Sequence, residues 1–247
     1  FSGEHLEPYF CLEDLPPARG EARSFAIGNG EFLDGGGHGA NCSLETRVDF
    51  VYRPTGEDAE FQPLADLASL PSDVAQTTTS EGKTVPFVVR LETGTINRAI
   101  YQTATLVDPT HPEPDPWNPG SGWNGRLVYT FGGGCEAGFF QGTSTGRVLR
   151  EDMLAAGYAV ASSSLNVNAQ GGCNDPLSAE TAMMVKERFA EVHGPPVHTI
   201  GSGGSGGAMQ QLLIAGAYPG ILNGIMPTLT FPDAITYFID TPECRLL

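Results

Sequence analysis

The chain has 247 residues, of which 40% are hydrophobic and 17% charged, and its formal net charge is −16 at pH 7. This length and composition suit one large domain, or one domain with an appended segment. Lys83 and Lys186 are the only lysines, and no cluster of basic residues offsets the negative charge, which argues against a nucleic-acid partner. No apolar run is long enough for a membrane span, so we expect no membrane partner either.

The cysteines indicate an oxidising compartment. None of the five forms a C-x-x-C motif, so we predict neither a zinc site nor any other metal or cofactor. We expect a secreted or periplasmic protein with bridges Cys11–Cys42 and Cys135–Cys173, the pairs that need the least crossing of the chain. Buried free thiols are the alternative. Cys244 is left over, and we expect it to form a bridge to a separate downstream piece.

The first part of the chain is rich in loops. Residues 1–84 form a predicted N-terminal segment with short strands at 24–27 and 47–52. Alternating polar and apolar residues over 85–104 predict a hairpin with Gly94 at its turn. Residues 108–120 are rich in proline and therefore predict an extended, exposed loop.

From residue 126 onward, strand and helix patterns alternate. The predicted strands are 126–131, 158–163 and 197–200, and the predicted helices are 148–156 and 176–192. Such alternation predicts an α/β fold in which helices cover both faces of a mostly parallel sheet. We therefore assign residues 85–247 to one α/β domain, of which they form the N-terminal part.

A glycine cluster follows the strand at 197–200, in residues 201–207. Its segment Gly203-Gly204-Ser205-Gly206-Gly207 fits G-x-S-x-G, the nucleophile elbow of α/β-hydrolases. The elbow is a sharp turn from strand to helix, and glycines permit the close backbone approach that it needs. We predict Ser205 as the nucleophile and the N–H of Gly206 as one donor to an oxyanion.

A second glycine-rich turn follows the strand at 126–131. In an α/β-hydrolase, the loop after an earlier strand supplies the other oxyanion N–H, and we assign it to Gly134 or Cys135. The alternative is that these glycines only allow close packing against a helix. Residues 165–175 follow the next strand, so we expect them on the same rim as the site.

The cluster also permits a different interpretation. Gly201-x-Gly203-x-x-Gly206 fits a dinucleotide-binding turn, which requires an acidic residue about 20 residues later, at the end of the next strand. The predicted next strand, 221–226, has no such residue, and the first acid is Asp233. A purely structural turn is the third interpretation.

Five stretches resemble the tannase and feruloyl esterase group of secreted α/β-hydrolases, and an uncharacterised bacterial family related to it. The stretches are 129–135, 161–167, 183–189, 203–207 and 218–225. The resemblance covers more than half of the chain and implies a Ser-His-Asp esterase with Ser205 as nucleophile. Tannase-like enzymes carry a cysteine before the serine, bridged to one beside the catalytic histidine, whereas this chain has Gly204 there.

The chain offers no obvious general base. In α/β-hydrolases the order is serine, acid, histidine, but all five histidines precede Ser205. We interpret His193 as a helix C-terminal residue whose charge suits the helix dipole, and His198 as structural. Asp233 or Asp240 is a candidate acid within the chain. We expect the histidine, and with it the acid, from a downstream segment or chain, because the sequence after Cys244 resembles an unfinished element.

These observations predict a serine carboxylic ester hydrolase that acts through an acyl-enzyme on a small-molecule or polymeric ester. Two alternatives stay open. A non-catalytic α/β-hydrolase-like binding module would explain why no histidine follows Ser205. A nicotinamide-binding oxidoreductase would explain the glycine spacing.

Overall fold

The computed structural model describes residues 9–14, 24–35, 39, 41–118, 120, 122–135, 140–171 and 173–230. The strands are β1 (Ser24–Ala26), β2 (Phe32–Asp34), β3 (Arg47–Tyr52), β4 (Gln62–Pro63), β5 (Gln76–Thr78), β6 (Thr84–Pro86), β7 (Val88–Ile96), β8 (Ala99–Leu106), β9 (Arg126–Thr130), β10 (Ala159–Ser163), β11 (His198–Gly204) and β12 (Gly224–Thr228). The α-helices are α1 (Glu151–Ala155), α2 (Asn168–Gly171), α3 (Asp175–His193) and α4 (Gly206–Ala217).

One eight-stranded sheet organises the described residues, in the order β12-β11-β9-β10-β8-β7-β3-β4. The pairs β12/β11, β11/β9 and β9/β10 are parallel, and the remaining four pairs are antiparallel. The predicted α/β fold is confirmed, but the sheet is mixed rather than mostly parallel. The reason is that the strands before residue 126 are joined without crossover helices and therefore pair antiparallel.

The β7–β8 hairpin turns at Asn97 and Arg98, whose φ angles are 53° and 64°. Two consecutive positive φ angles are typical of the tight turns that match the twist of a hairpin. The prediction of Gly94 at this turn was wrong. Gly94 lies within β7 opposite Tyr101, and a Cβ there would lie 2.7 Å from a carbon of the Tyr101 ring. The glycine therefore makes room for an aromatic side chain across the strands.

Two strands from the predicted N-terminal segment belong to the large sheet. β3 pairs with β7 over six residue pairs, and β4 extends the sheet beyond β3. The predicted boundary at residue 84 is not tested by this pairing and stays a prediction. Within the described ranges, no helix is long and apolar enough to cross a membrane.

Helices cover both faces of the sheet, as predicted. On one face, Ala182, Val185 and Phe189 of α3 are buried against Leu127 and Tyr129 of β9. Ile214 of α4 belongs to the same cluster, and α1 covers the opposite face through Leu154. The carboxyl ends of the four parallel strands therefore meet at one edge of the sheet, between helices.

Candidate active site

Ser205 lies between the end of β11 and the first residue of α4. Its backbone angles are φ 58° and ψ −123°, a combination that residues other than glycine rarely adopt. The N–H of Ser205 donates to the carbonyl oxygen of Thr228 at 3.1 Å, and its own carbonyl accepts the first bonds of α4, from Ala208 and Met209. No described residue hydrogen-bonds its half-buried side chain. The hydroxyl therefore stands at a strained strand-to-helix turn, as G-x-S-x-G predicts.

The glycines around Ser205 are required because the loop after β9 crosses directly over them. A Cβ on Gly203 would overlap the carbonyl oxygen of Phe131, and a Cβ on Gly207 would lie 2.5 Å from the same oxygen. A Cβ on Gly206 would overlap the carbonyl oxygen of Gly134. The two glycine-rich turns of the sequence are therefore in contact, because β9 and β11 are adjacent parallel strands.

Gly133, in the loop after β9, lies beside the Ser205 side chain. A Cβ on Gly133 would lie 3.4 Å from Cβ of Ser205 and 3.9 Å from the backbone nitrogen of Gly206. In the described part of the chain, the N–H groups of Gly133, Gly134, Cys135 and Gly206 have no acceptor. Gly134, with φ 88°, and Cys135 are both exposed. These backbone donors surround the turn, and the oxyanion roles of Gly134, Cys135 and Gly206 stay predictions.

The segment after β10 holds this loop from its other side. Gly132 N–H donates to the Asn166 carbonyl at 2.8 Å, and Ala169 N–H donates to the Gly133 carbonyl at 2.9 Å. A disulfide then joins Cys135 to Cys173, as predicted. Residues 166, 169 and 173 therefore lie on the rim of the site, as expected for this segment. The other predicted bridge, Cys11–Cys42, is also present.

Two adjacent glutamines near the start of α4 hydrogen-bond backbone carbonyls of the two glycine-rich turns. The sequence analysis missed both. The Gln211 side chain donates to the carbonyls of Gly203 and Gly207 at 3.0 and 2.9 Å and accepts from Met226 N–H at 3.1 Å. The Gln210 side chain donates toward the carbonyl of Gly132 at 3.1 Å. Both glutamines are fully buried. A pair of carboxamides in the second turn of an otherwise apolar helix was the available signal.

A buried polar network continues from Gln210 into the neighbouring elements. Ser178 of α3 donates its hydroxyl to Oε1 of Gln210, and Nδ2 of Asn166 donates to the Ser178 carbonyl at 2.9 Å. The Tyr129 hydroxyl donates to Oδ1 of Asn166 at 2.6 Å. Burial raises the pKa of Tyr129 well above its usual value, so this hydroxyl stays protonated and can donate. The network links α3, α4, β9 and the segment after β10.

The described histidines lie away from Ser205. His198 begins β11, and seven residues at about 3.3 Å each separate it from the serine along an extended strand. His193 ends α3, and His111, in the proline-rich loop, bonds Thr110 and lies near Asp108. The other two histidines, His5 and His38, lie outside the described residues, as do the predicted residues Asp233, Asp240 and Cys244.

The interpretation of His193 as a charged helix-terminal residue needs correction. It is the last residue of α3, but its ring is buried and stacks on Phe189 at 4.7 Å between centroids. Burial, with the positive charges of Arg90 and Arg188, lowers its pKa to about 4. The imidazole is therefore neutral at pH 7, because desolvation outweighs the attraction of the helix dipole.

A cavity of about 410 Å³ lies beside His193, between the proline-rich loop and the strands β7 and β8. Trp123, which precedes β9, lines it. The cavity is therefore at the amino end of the parallel strands, whereas Ser205 is at their carboxyl end. Among the described residues, no group of three or more His, Cys, Asp or Glu side chains is placed to hold a metal ion.

The alternative of a dinucleotide turn conflicts with the strand length. Such a turn would begin at Gly201, but β11 continues to Gly204, pairing with β9 as far as Ser202 and with β12 as far as Gly204. Gly201 and Gly203 are therefore strand residues. They accommodate the Gln211 side chain and the Phe131 carbonyl, respectively.

The model of a protein family matches the chain along its whole length. It is described as the tannase-like family of unknown function (DUF6351), and the match covers residues 1–247. The chain belongs to this family. The resemblance to tannases that the sequence indicated is therefore confirmed at the level of the family.

The chain also has similarity to solved structures. Tannin acyl hydrolase from Aspergillus niger is 10% identical with a TM-score of 0.41, over 74% of this chain and 31% of that one. The peroxisomal α/β-hydrolase Lpx1 from Saccharomyces cerevisiae is 13% identical with a TM-score of 0.33, over 76% of this chain and 45% of that one. The chain thus spans less than half the length of either. No curated protein matches the chain.

Proposed function

We propose that this chain carries the nucleophile and the oxyanion-binding turn of a serine carboxylic ester hydrolase. The observation that carries the proposal is the strained Ser205, with its φ of 58°, in contact with the glycine-rich loop after β9. Membership of a tannase-like family supports a hydrolase of the ester type. The substrate that we propose is a small-molecule or polymeric ester, and the two disulfides support an extracellular or periplasmic location.

In the proposed reaction, the Ser205 hydroxyl attacks the acyl carbon while a base takes its proton. The carbonyl oxygen becomes an oxyanion, which accepts hydrogen bonds from Gly206 N–H and from Gly134 or Cys135 N–H. The alcohol leaves with a proton, and water then hydrolyses the acyl-enzyme. The serine oxygen regains its proton in that second step.

We propose that the histidine base, and with it the acid, comes from a downstream segment or from another chain of the same precursor, because no histidine follows Ser205 in the sequence. Thr228, at the carboxyl end of β12, bonds the turn that carries Ser205, so residues that follow it begin on the rim of the site. Asp233 is the candidate acid within this stretch. Met226 and Leu229 are exposed on β12 and after it, which supports a further element packing there.

Covalent labelling of the complete natural chain tests the nucleophile. A fluorophosphonate probe should modify Ser205, and the substitution Ser205→Ala should abolish both labelling and hydrolysis of 4-nitrophenyl acetate. Ser202→Ala is the matched control, because Ser202 is also half-buried on β11, three residues earlier. Labelling at another residue, or full activity of Ser205→Ala, would contradict the proposal.

A non-catalytic binding module is the second candidate. It is favoured by the absence of any hydrogen bond from a described residue to the Ser205 hydroxyl. The same experiment separates the two candidates. A complete chain that binds esters without hydrolysing them, and that the probe does not label, would support the binding module.

A further inference from the structure

The Gln210 carboxamide lies where three segments of the candidate site converge. Its Nε2 is 3.1 Å from the carbonyl oxygen of Gly132, 3.2 Å from that of Asn166 and 3.4 Å from that of Gly206. These carbonyls belong to the loop after β9, to the segment after β10 and to the elbow. The side chain is fully buried, so no water competes for these bonds.

The orientation of the carboxamide is fixed by its other end. Oε1 accepts from the Ser178 hydroxyl and from Nδ2 of Asn166 at 3.4 Å. A rotation that exchanged Oε1 and Nε2 would face an oxygen toward three carbonyl oxygens and an amide toward a second amide. The Nε2 hydrogens of Gln210 are therefore held toward the carbonyls of Gly132, Asn166 and Gly206.

The carbonyl of Gly132 shares a planar peptide with the N–H of Gly133, and the two point in opposite directions. Because Gln210 holds the Gly132 carbonyl, it directs the Gly133 N–H away from the Gln210 side chain. In the same way, the Ala169 N–H fixes the Gly133 carbonyl and with it the direction of the Gly134 N–H. Gln210 also contacts the Gly206 carbonyl, so one side chain fixes the loop relative to the elbow.

We propose that Gln210 is a positioning residue that holds the loop after β9 in register with the elbow, so that backbone N–H groups from both face one oxyanion. This inference rests on the proposed function. Hydrogen bonds to an oxyanion strengthen in the transition state, so misalignment lowers kcat more than it raises KM.

The test uses Gln210→Met in the complete natural chain, because methionine has similar length and no donors. Gln102→Met is the matched control. Gln102 is buried on β8, donates to the Ile27 carbonyl at 2.7 Å and accepts from Thr145 at 3.0 Å, without contact to the elbow. Both variants lose a buried carboxamide and should lose comparable stability. We expect Gln210→Met to lower kcat on 4-nitrophenyl acetate by about 10- to 100-fold with little change in KM, and Gln102→Met to change kcat less than about 2-fold.

A second variant, Gln210→Glu, adds a readout that a purely structural role would not change. A protonated carboxyl can donate one hydrogen bond, whereas a carboxylate cannot. We therefore expect the ratio of the variant's kcat to the wild-type kcat to rise as the pH falls, and we expect the same ratio for Gln102→Glu to show no such rise. If Gln210→Met does not fold, the comparison of Gln210→Glu with Gln102→Glu still tests the positioning role.

Equal kcat losses in the Gln210 and Gln102 variants would overturn the positioning role while leaving the proposed function intact. Full activity of Ser205→Ala, measured alongside, would instead overturn the proposed function and this inference with it. A loss confined to KM would also contradict the positioning role, because it would indicate a contact made equally in the ground state.

Discussion

The backbone N–H of Ser205 donates to the carbonyl oxygen of Thr228, so the elbow is bonded to the carboxyl end of a neighbouring strand. The contact is close on the preceding residue as well, since a Cβ on Gly204 would lie 2.7 Å from Oγ1 of Thr228. Gly204, where the resemblance to tannases would imply a bridged cysteine, instead lies against β12. The strained turn is supported from β9 on one side and from β12 on the other.

The strain at Ser205 predicts an opposition between stability and activity. At φ 58° and ψ −123°, a residue with a Cβ is disfavoured and glycine is not. We expect Ser205→Gly to be more stable than Ser205→Ala by about 1 kcal/mol, with both inactive. Urea denaturation of the two variants measures this difference. Equal free energies of unfolding would show that the turn carries no strain.

Crowding between the two glycine-rich turns predicts opposite effects of one substitution at two positions of α4. Gly207→Ala places a Cβ 2.5 Å from the Phe131 carbonyl oxygen and should destabilise the protein by about 1–3 kcal/mol. Gly216 has nothing within 4 Å of its Cβ position, so Gly216→Ala should stabilise by about 0.5–1 kcal/mol. Thermal unfolding of both variants checks the sign. A neutral Gly207→Ala would refute the tight contact.

The two disulfides should differ in what their removal does. They close loops of similar length, with sequence separations of 31 and 38, so each should contribute about 4 kcal/mol by the chain-entropy estimate. Replacing Cys135 and Cys173 by serine should also lower kcat, because that bridge ends the loop that contacts Ser205. Replacing Cys11 and Cys42 should lower stability alone. Measuring kcat at temperatures well below the Tm of each double variant separates the effect on activity from the effect on stability. Equal kcat values in the two double variants would contradict the expectation.

The buried His193 predicts a loss of stability at mildly acidic pH. Its pKa is about 4 in the folded chain against an ordinary value of 6.5, so the unfolded chain binds more protons between these values. The stabilisation is complete above pH 6.5 and is lost as the pH falls toward 4, by about 3 kcal/mol. The pKa of Glu92, the carboxylate of this cluster, is lowered from its ordinary value: burial raises it, but the hydrogen bonds from Tyr101 and Arg188 and the charges of Arg90 and Arg188 together lower it by more.

His193→Phe is the variant that isolates this effect. Phenylalanine preserves the stacking on Phe189 and cannot bind a proton. Between pH 7.5 and 4.5, the wild type should lose about 2–3 kcal/mol more unfolding free energy in urea than the variant. Parallel losses in the two proteins would show that another group is responsible.

The sequence predicted those features that depend on local pattern. The β11–Ser205–α4 junction, the helix at 176–192 and both disulfides were identified because glycine spacing, periodicity and cysteine count are local signals. Adjacency of β9 and β11 could be anticipated only by resemblance, because strand order is a tertiary property.

Other features required the coordinates. Gly94 was assigned to a turn because glycine usually marks one, whereas its neighbour across the sheet, Tyr101, sets its role. Gln210 was overlooked because its partners, Gly132 and Asn166, are 78 and 44 residues away in sequence. His193 was given a charge because the position at a helix end is visible in the sequence, but burial is not.

The glycine contacts also determine how this protein can be diversified in the laboratory. Saturation mutagenesis of the elbow would mostly yield misfolded variants, because Gly203, Gly206 and Gly207 each face a carbonyl oxygen at contact distance. Residue 169, next to the Gly133 carbonyl, has an exposed side chain on the opposite side of the same loop. Libraries intended to alter substrate preference should therefore vary residue 169 and keep the elbow constant.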